Sequence, residues 1–453
     1  MAAVNSQHNN ANSNQGFRVL LRTLRYRNYR LFFFGQGISL IGTWMQQIAL
    51  SWLVYRLTDS VFLLGLVSFA TRAPIFALTP LAGVLADRWN RHRIMVVTQT
   101  LSMLQALILS ALLFANLIAI WHVIALGLFI GLVNALDIPA RQSFIVDMVE
   151  NKDDLGNAIA LNSSLVNAAR LIGPSLAGIL VAAAGEGACF LLNALSFLAV
   201  IVALLLMTVP ARKAEPRRQR VLHELREGAA YVFGFAPMRD ILLLLSLVSL
   251  MGMPYAVLMP VFAKDIFHGG PHTLGFLMAA SGGGALLGAV FLASKKTVIG
   301  LGRWIVQATL IFGASLLVFA FSRSYWFSIA VLVLTGFGMI VQMASSNTVL
   351  QTLVEDDKRG RLMSFYAMAF MGTAPFGSLL AGSLAAKIGA PYTVVVGGVC
   401  CLIGGLLFAR KLPELRRLMR PIYVQKGILP ELVSGIQAAS ETPDSAAGRN
   451  PGP

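Results

Sequence analysis

Two arginines, Arg72 and Arg170, stand in the middle of long apolar runs, the first shortly before Pro74 and the second shortly before Gly173-Pro174. A guanidinium in hydrocarbon costs about 2.5–3.5 kcal/mol even on a forgiving insertion scale, so each must face polar surroundings. No Asp or Glu lies at comparable depth: Asp87 and Asp137 fall near one end of their runs and Glu186 near the other. Uncompensated cations fit an anionic or acceptor-rich ligand such as a carboxylate or catecholate; structural pairing with backbone carbonyls or amides fits equally well. A polar stripe, Gln36, Ser39, Thr43, Gln46 and Gln47, repeats at steps of three and four and so shares one helical face. Such a face either lines a pore or bonds to a neighbouring helix. Gln36, Thr43, Gln46, Arg72, Asn134, Asn167 and Arg170 are therefore the candidate ligand contacts.

A second charged constellation is the turn Gly83-Val84-Leu85-Ala86-Asp87-Arg88-Trp89-Asn90-Arg91-His92-Arg93, which joins two apolar runs. Its single acid among basic neighbours suits a device that makes and breaks ion pairs, although a cluster that merely fixes the turn on one side of a membrane has the same composition. Asp137 is the best-placed group to gain and lose a proton, with His122 a distant second. Gly282-Gly283-Gly284 lacks the context of a phosphate-binding loop and reads as close helix packing. Cys189, Cys400 and Cys401 sit in apolar runs, as packing residues do, and imply neither disulfides nor a thiolate metal site. No nucleotide-binding, nucleophile or metal-ligand pattern is present, so the expectation is a protein that is not an enzyme and needs no cofactor.

These residues are positioned by apolar helices. The 453 residues are 57% hydrophobic and only 12% charged, about half the charged share of a soluble protein. Twelve stretches are long enough to cross a bilayer, near 31–56, 61–86, 94–116, 119–140, 158–183, 188–208, 241–263, 273–294, 303–322, 325–348, 362–386 and 391–409. The net charge of +16 does not signal nucleic acid, because it is distributed by side. With both termini in the cytoplasm, about 30 of the 36 Lys and Arg residues fall on the cytoplasmic side, including Arg18, Arg22, Arg25, Arg27 and Arg30. The far side holds Arg56, Lys264, Arg323 and Lys387.

The expected organisation is a disordered tail over 1–16, a six-helix bundle over 17–209, and a cytoplasmic linker over 210–240 with a short helix at Leu222–Tyr231. A second six-helix bundle over 241–410 and a cytoplasmic tail over 411–453 complete it. The bundles are weakly similar at an offset near 204: Gly156, Gly173, Gly178 and Gly185 align with Gly360, Gly377, Gly382 and Gly389, and Glu150-Asn151-Lys152-Asp153-Asp154 with Glu355-Asp356-Asp357-Lys358-Arg359. Parallel repeats of this kind place a ligand pathway between the halves, near the bilayer midplane.

The turn from Gly83 to Arg93 resembles the cytoplasmic loop signature of the major facilitator superfamily, matching at Gly83, Leu85, Ala86, Asp87, Arg88 and Arg91. It departs at Asn90, where the family usually carries glycine; Asn is the next most tolerant residue in a left-handed conformation. Gly42-Thr43-Trp44-Met45-Gln46, Trp52-Leu53-Val54-Tyr55, Leu57-Thr58-Asp59-Ser60, Asp137-Ile138-Pro139-Ala140-Arg141 and Asn162 through Pro174 are similar to the bacterial exporter branch that includes enterobactin and macrolide efflux proteins. Gly173-Pro174-Ser175-Leu176-Ala177-Gly178 resembles the fifth-span motif of antiporters, without its full glycine pattern.

The resemblance implies an all-α integral membrane protein with twelve transmembrane helices in two pseudo-symmetric six-helix bundles. It implies a secondary-active exporter of a small organic molecule, a siderophore, drug or similar, working by alternating access with proton influx in a bacterial cytoplasmic membrane. Asp87 is then expected to meet Arg141 and the N-terminal end of span eleven near Arg361, an attraction of about 0.3–1 kcal/mol where exposed. Arg88 and Arg91 are expected to meet acids of the 4–5 and 10–11 loops, and Gly173 and Pro174 to act in gating. The 8–9 turn keeps Lys295 and Lys296 but no acid, so such a latch is one-sided. A lipid or lysophospholipid flippase of the same fold and a non-transporting receptor or scaffold are the competing functions. The expected partners are a small molecule and the bilayer, for a monomer that binds no nucleic acid.

Overall fold

A backbone polar group left unpaired in hydrocarbon costs several kcal/mol, and helices satisfy their own. Among the described residues the chain forms helices and helical turns with no strand. The computed structural model describes residues 22–149, 151–208, 221–295, 297–355 and 358–429, without the side chains of 79–88, 152 and 221–226. The first half consists of α1 (Arg27–Thr58), α2 (Val61–Arg88), α3 (Arg91–Phe114), α4 (Ile120–Met148), α5 (155–184) and α6 (186–205). A surface helix, α7 (Val221–Gly234), leads into α8 (Ala236–Ile266), α9 (Pro271–Ala293), α10 (Leu301–Phe321), α11 (Tyr325–Leu353), α12 (Arg359–Ile388) and α13 (Ala390–Gln425).

Ten helical segments have the length and hydropathy to cross a membrane. One of them, Leu155–Leu205, turns back on itself at Gly185 and so supplies both α5 and α6. α1, 32 residues with glutamines and serines in its middle, completes twelve. Several helices outrun the expected spans. α4 continues to Met148, α8 begins at Ala236 and α13 reaches Gln425. Hydropathy marks only the stretch that suits hydrocarbon, whereas helical hydrogen bonding continues into charged stalks beyond it.

The glycine offset has a backbone counterpart. Gly185 and Gly389, 204 residues apart, are the corners between spans five and six and between eleven and twelve, with φ of 78° and 86°. A β-carbon is strained there, which is why glycine occupies both. Below we call the end carrying the starts of α1 and α3 the inner end, and the end carrying these corners the outer end.

Candidate functional site

Close helix approaches fix the geometry. A β-carbon on Gly173 would lie 2.5 Å from Trp44 Cβ, so α5 and α1 touch there. Gly275 stands against Pro174 O and Gly178, and Gly282 against Arg170 O, so α5 also lies along α9. The glycine run in span eight thus serves packing. α2 lies along α12 in the same way: Gly65 meets Gly382, Ser68 Oγ donates to Ser378 Oγ at 3.1 Å, and Phe69 and Phe76 both pack edge-on against Phe376. These two seams carry most of the contact between the halves.

The seams run from the outer end to Arg170–Gly282 on one side and to Phe76–Gly372 on the other. At the outer mouth α1 and α8 are clamped, with Tyr55 donating to Asp265 and Lys264 paired with Asp59. By contrast, every described ion pair at the inner end stays within one half. Arg25 binds Asp154 at 3.1 Å, Arg91 binds Asp147 at 3.0 Å, Arg141 binds Asp137 at 3.0 Å and Lys411 binds Asp240 at 3.0 Å. Arg361 joins Glu227 of α7 at 3.2 Å, and α7 packs Phe233 against Phe365, so the linker helix rides on the second half. Among the described contacts the molecule is closed outside and open inside.

Arg170 sits at the apex of that opening. Its Nε and Nη1 are buried and have no hydrogen-bond acceptor. Its guanidinium lies 5.2 Å from the centre of the Trp44 ring. Tyr255 of α8 lies within electrostatic reach of the guanidinium, and its hydroxyl is 2.6 Å from Ser281 Oγ of α9. Four helices from both halves therefore meet around one unneutralised cation. Arg72 lies on the α12-facing stripe of α2, one turn from Ser68 and one from Phe76, with an exposed side chain and no acid within ion-pair distance among the described residues.

The polar stripe of α1 divides. Thr43 is exposed, its hydroxyl returned to Ser39 O at 2.9 Å. Gln46 is corrected from ligand contact to bundle core: Asn193 Nδ2 donates to its Oε1 at 2.6 Å, and its Nε2 donates to Gln105 Oε1 at 3.0 Å. Both ends of its amide are spent inside the first half. Gln36 is also buried, with Oε1 unpartnered. Asn134 is half-buried, and half-buried Asn167 donates to Ser163 O within its own helix at 2.9 Å.

Asp137 lies in a closed network. It is 3% exposed; Oδ1 accepts from Thr98 and Gln99 at 2.8 Å each, and Oδ2 pairs with Arg141. A carboxylate so neutralised and enclosed between α3 and α4 is a clip between helices. For the same reason Arg141 is already engaged, within its own helix. Gly83, Asp87 and Arg88 lie on the last turns of α2, and their side chains fall outside the described residues. Arg91 does meet an acid, although Asp147 belongs to the extended end of α4 and not to a loop.

Sequence reasoning missed Trp44, Tyr255 and Ser281 as neighbours of Arg170, and it missed the outer clamp. An aromatic beside a deep cation was a usable signal for Trp44. The clamp residues carried none, since charges at span ends look alike whether they set topology or bind across an interface.

The description "transmembrane secretion effector" belongs to the family model that matches residues 20–422. The chain is 26% identical over 382 residues to the staphyloferrin A transporter of Staphylococcus aureus, covering 84% of this chain and 95% of that one. It is 26% identical over 424 residues to the multidrug efflux pump Tap of Mycobacterium tuberculosis, covering 90% and 96%. The fold is similar to that of a POT family transporter solved with a thioalcohol-conjugated peptide, with a TM-score of 0.69, 15% identity and coverage of 86% and 96%.

Proposed function

Because this chain belongs to the transmembrane secretion effector family, a family of multi-pass membrane transporters and not of enzymes, we propose that it exports a small organic molecule of siderophore or drug type by alternating access. The observation that carries this reading is the polarity of closure: two glycine seams and the Tyr55–Asp265 and Asp59–Lys264 clamp hold the outer end together, while among the described residues the inner-end ion pairs stay within each half. Cargo then loads from the inner side, which the excess of Lys and Arg makes the cytoplasm of a bacterium, with both termini there. Rocking the halves about Arg170 opens the clamp and closes the inner end. In that second state the Gly83–Arg93 turn acts as the latch, with Asp87 meeting the start of α12 once Arg361 leaves Glu227. Gly173 and Pro174 are the point about which α5 pivots on α1.

Export is coupled to proton influx, with Asp137 the candidate group. Untargeted metabolite profiling of cells with and without the protein identifies the cargo, and uptake into everted vesicles then measures its transport. Accumulation that depends on the pH gradient is expected; unchanged transport after the gradient is collapsed overturns proton coupling. Asp87→Asn is expected to cut transport with normal membrane insertion, and full flux in that variant removes the latch.

A flippase is the second reading. An apolar hollow of about 720 Å³ lies beside the α5–α9 seam, lined by Leu171, Phe276, Gly283, Tyr325, Trp326 and Val333. It suits an acyl chain. Translocation of a fluorescent lysophospholipid by reconstituted protein, without small-molecule export, would replace the first reading by this one.

A further inference from the structure

We infer that the niche formed by Arg170, Trp44, Tyr255 and Ser281 binds a carboxylate or other planar oxyanion of the cargo. This rests on the export reading for what is moved, but not for what is bound.

The argument begins with hydrogen-bonding capacity. A guanidinium offers five donors in its plane and no acceptor. Arg170 makes a cation–π contact with Trp44, 5.2 Å from guanidinium carbon to ring centre, which uses none of those N–H donors. Two of its three nitrogens are buried without an acceptor, so the protein itself does not complete the site. Tyr255 and Ser281 add two hydroxyls. One donates to the other at 2.6 Å, and the remaining O–H is free to donate elsewhere.

The niche is thus rich in donors, carries a positive charge and has no described carboxylate in ion-pair contact with that charge. A cationic drug would meet repulsion there, and a neutral amide would satisfy the donors only through a weaker acceptor. A carboxylate, or another planar oxyanion, takes two parallel N–H bonds from one guanidinium.

The niche is also fixed by backbone contact. Gly173 and Gly282 bring α1 and α9 against α5 on either side of Arg170. The backbone of Arg170 is therefore held in place before any ligand arrives, which limits the ordering cost on binding to the side chain.

The test uses the purified full chain in detergent with three probes: salicylate, its neutral isostere salicylamide, and the cation benzylammonium. The readouts are the dissociation constant and the ligand-induced rise in Tm, each relative to the same variant without ligand. Wild type is expected to bind salicylate about ten- to hundred-fold more tightly than salicylamide, the factor a charge-assisted hydrogen bond supplies. Arg170→Gln is expected to lose that preference and keep its affinity for salicylamide. Arg170→Lys, which retains the charge without the planar fork, is expected to keep part of it.

Failure to bind salicylate, equal or tighter binding of either control, or an unchanged preference in Arg170→Gln overturns the inference. The export profile separates it from the functional reading. Salicylate binding that depends on Arg170 in a protein that changes no metabolite outside the cell leaves the site and removes export. Wild-type export confined to neutral or cationic compounds removes the anion niche and leaves export.

Discussion

In the first half Gly173 lets α5 meet α1 and Gly178 lets it meet α9; in the second half Gly377 lets α12 meet α8 and Gly382 lets it meet α2. The two halves repeat one scaffold, down to the left-handed corners at Gly185 and Gly389. Their chemistry differs. Adding the 204-residue offset to Arg170 gives Ala374. Gly65 corresponds to Gly275 at an offset of 210, and the same step takes Arg72 to Gly282. Each deep arginine thus belongs to the first half, and its counterpart in the second half is a residue with little or no side chain. The inner turns differ too. The first carries Asp87 among basic residues, whereas the second holds Lys295 over the rings of Phe291 and Trp304 at 4.6 and 5.2 Å. The repeated part is what lets helices approach; the unrepeated part is the charge, which the first half carries.

The sharpest way to break this comparison is to overfill both seams. Gly275→Leu places a side chain where a β-carbon is already 2.5 Å from Pro174 O, and Gly65→Leu does so at 2.6 Å from Ser378 O. Backbone cannot yield as side chains do, so each is expected to lower flux by about a hundred-fold, from an overpacking cost of up to about 3 kcal/mol. A cysteine placed at the outer mouth should become more reactive in both. If only one seam responds, the halves are not mechanically equivalent.

Arg170→Ala is expected to reduce export about ten- to hundred-fold, against less than about two-fold for Ala374→Ser at the equivalent place, by the worth of a charge-assisted hydrogen bond. Comparable losses at the two positions would erase the chemical asymmetry. Lys264→Gln should shift the population toward an open outer end by up to about five-fold, because the partners are 38% and 70% exposed and such pairs contribute about 0.2–1 kcal/mol. That shift should shrink in high salt. Lys295→Gln should be the mildest, lowering Tm by about 1 °C from loss of an exposed cation–π contact, with flux unchanged.

The spans, the repeat and the two deep cations were legible because each rests on a local cost. Hydrocarbon rejects polar backbone and charge, and a corner with positive φ rejects side chains. The stripe on α1 was legible as a stripe but not as two environments. At about 100° per residue, Ser39 and Gln46 fall on one edge and Thr43 and Gln47 on the other. The first edge is buried; the second is exposed at Thr43 and Gln47, although Gln36, on that same edge nearer the inner end, is buried. Which edge turns inward is decided by α3 and α6, through Gln105 and Asn193, and nothing within α1 records it. The surroundings of Asp137 were hidden for a related reason: its bonds to Thr98 and Gln99, some forty residues earlier on α3, leave no mark within α4.

The amide chain Asn193–Gln46–Gln105 lies wholly within the first half, as do the ion pairs of Asp137, Asp147, Asp154 and Glu186. A ribosome delivers that half first, and domains generally fold in the order they emerge. Every one of these costly groups finds its partner before α8 is made. These groups of the nascent bundle can wait in the bilayer already paired. What it lacks until synthesis ends is a partner for the flanks of α2 and α5, where it is most vulnerable to quality control.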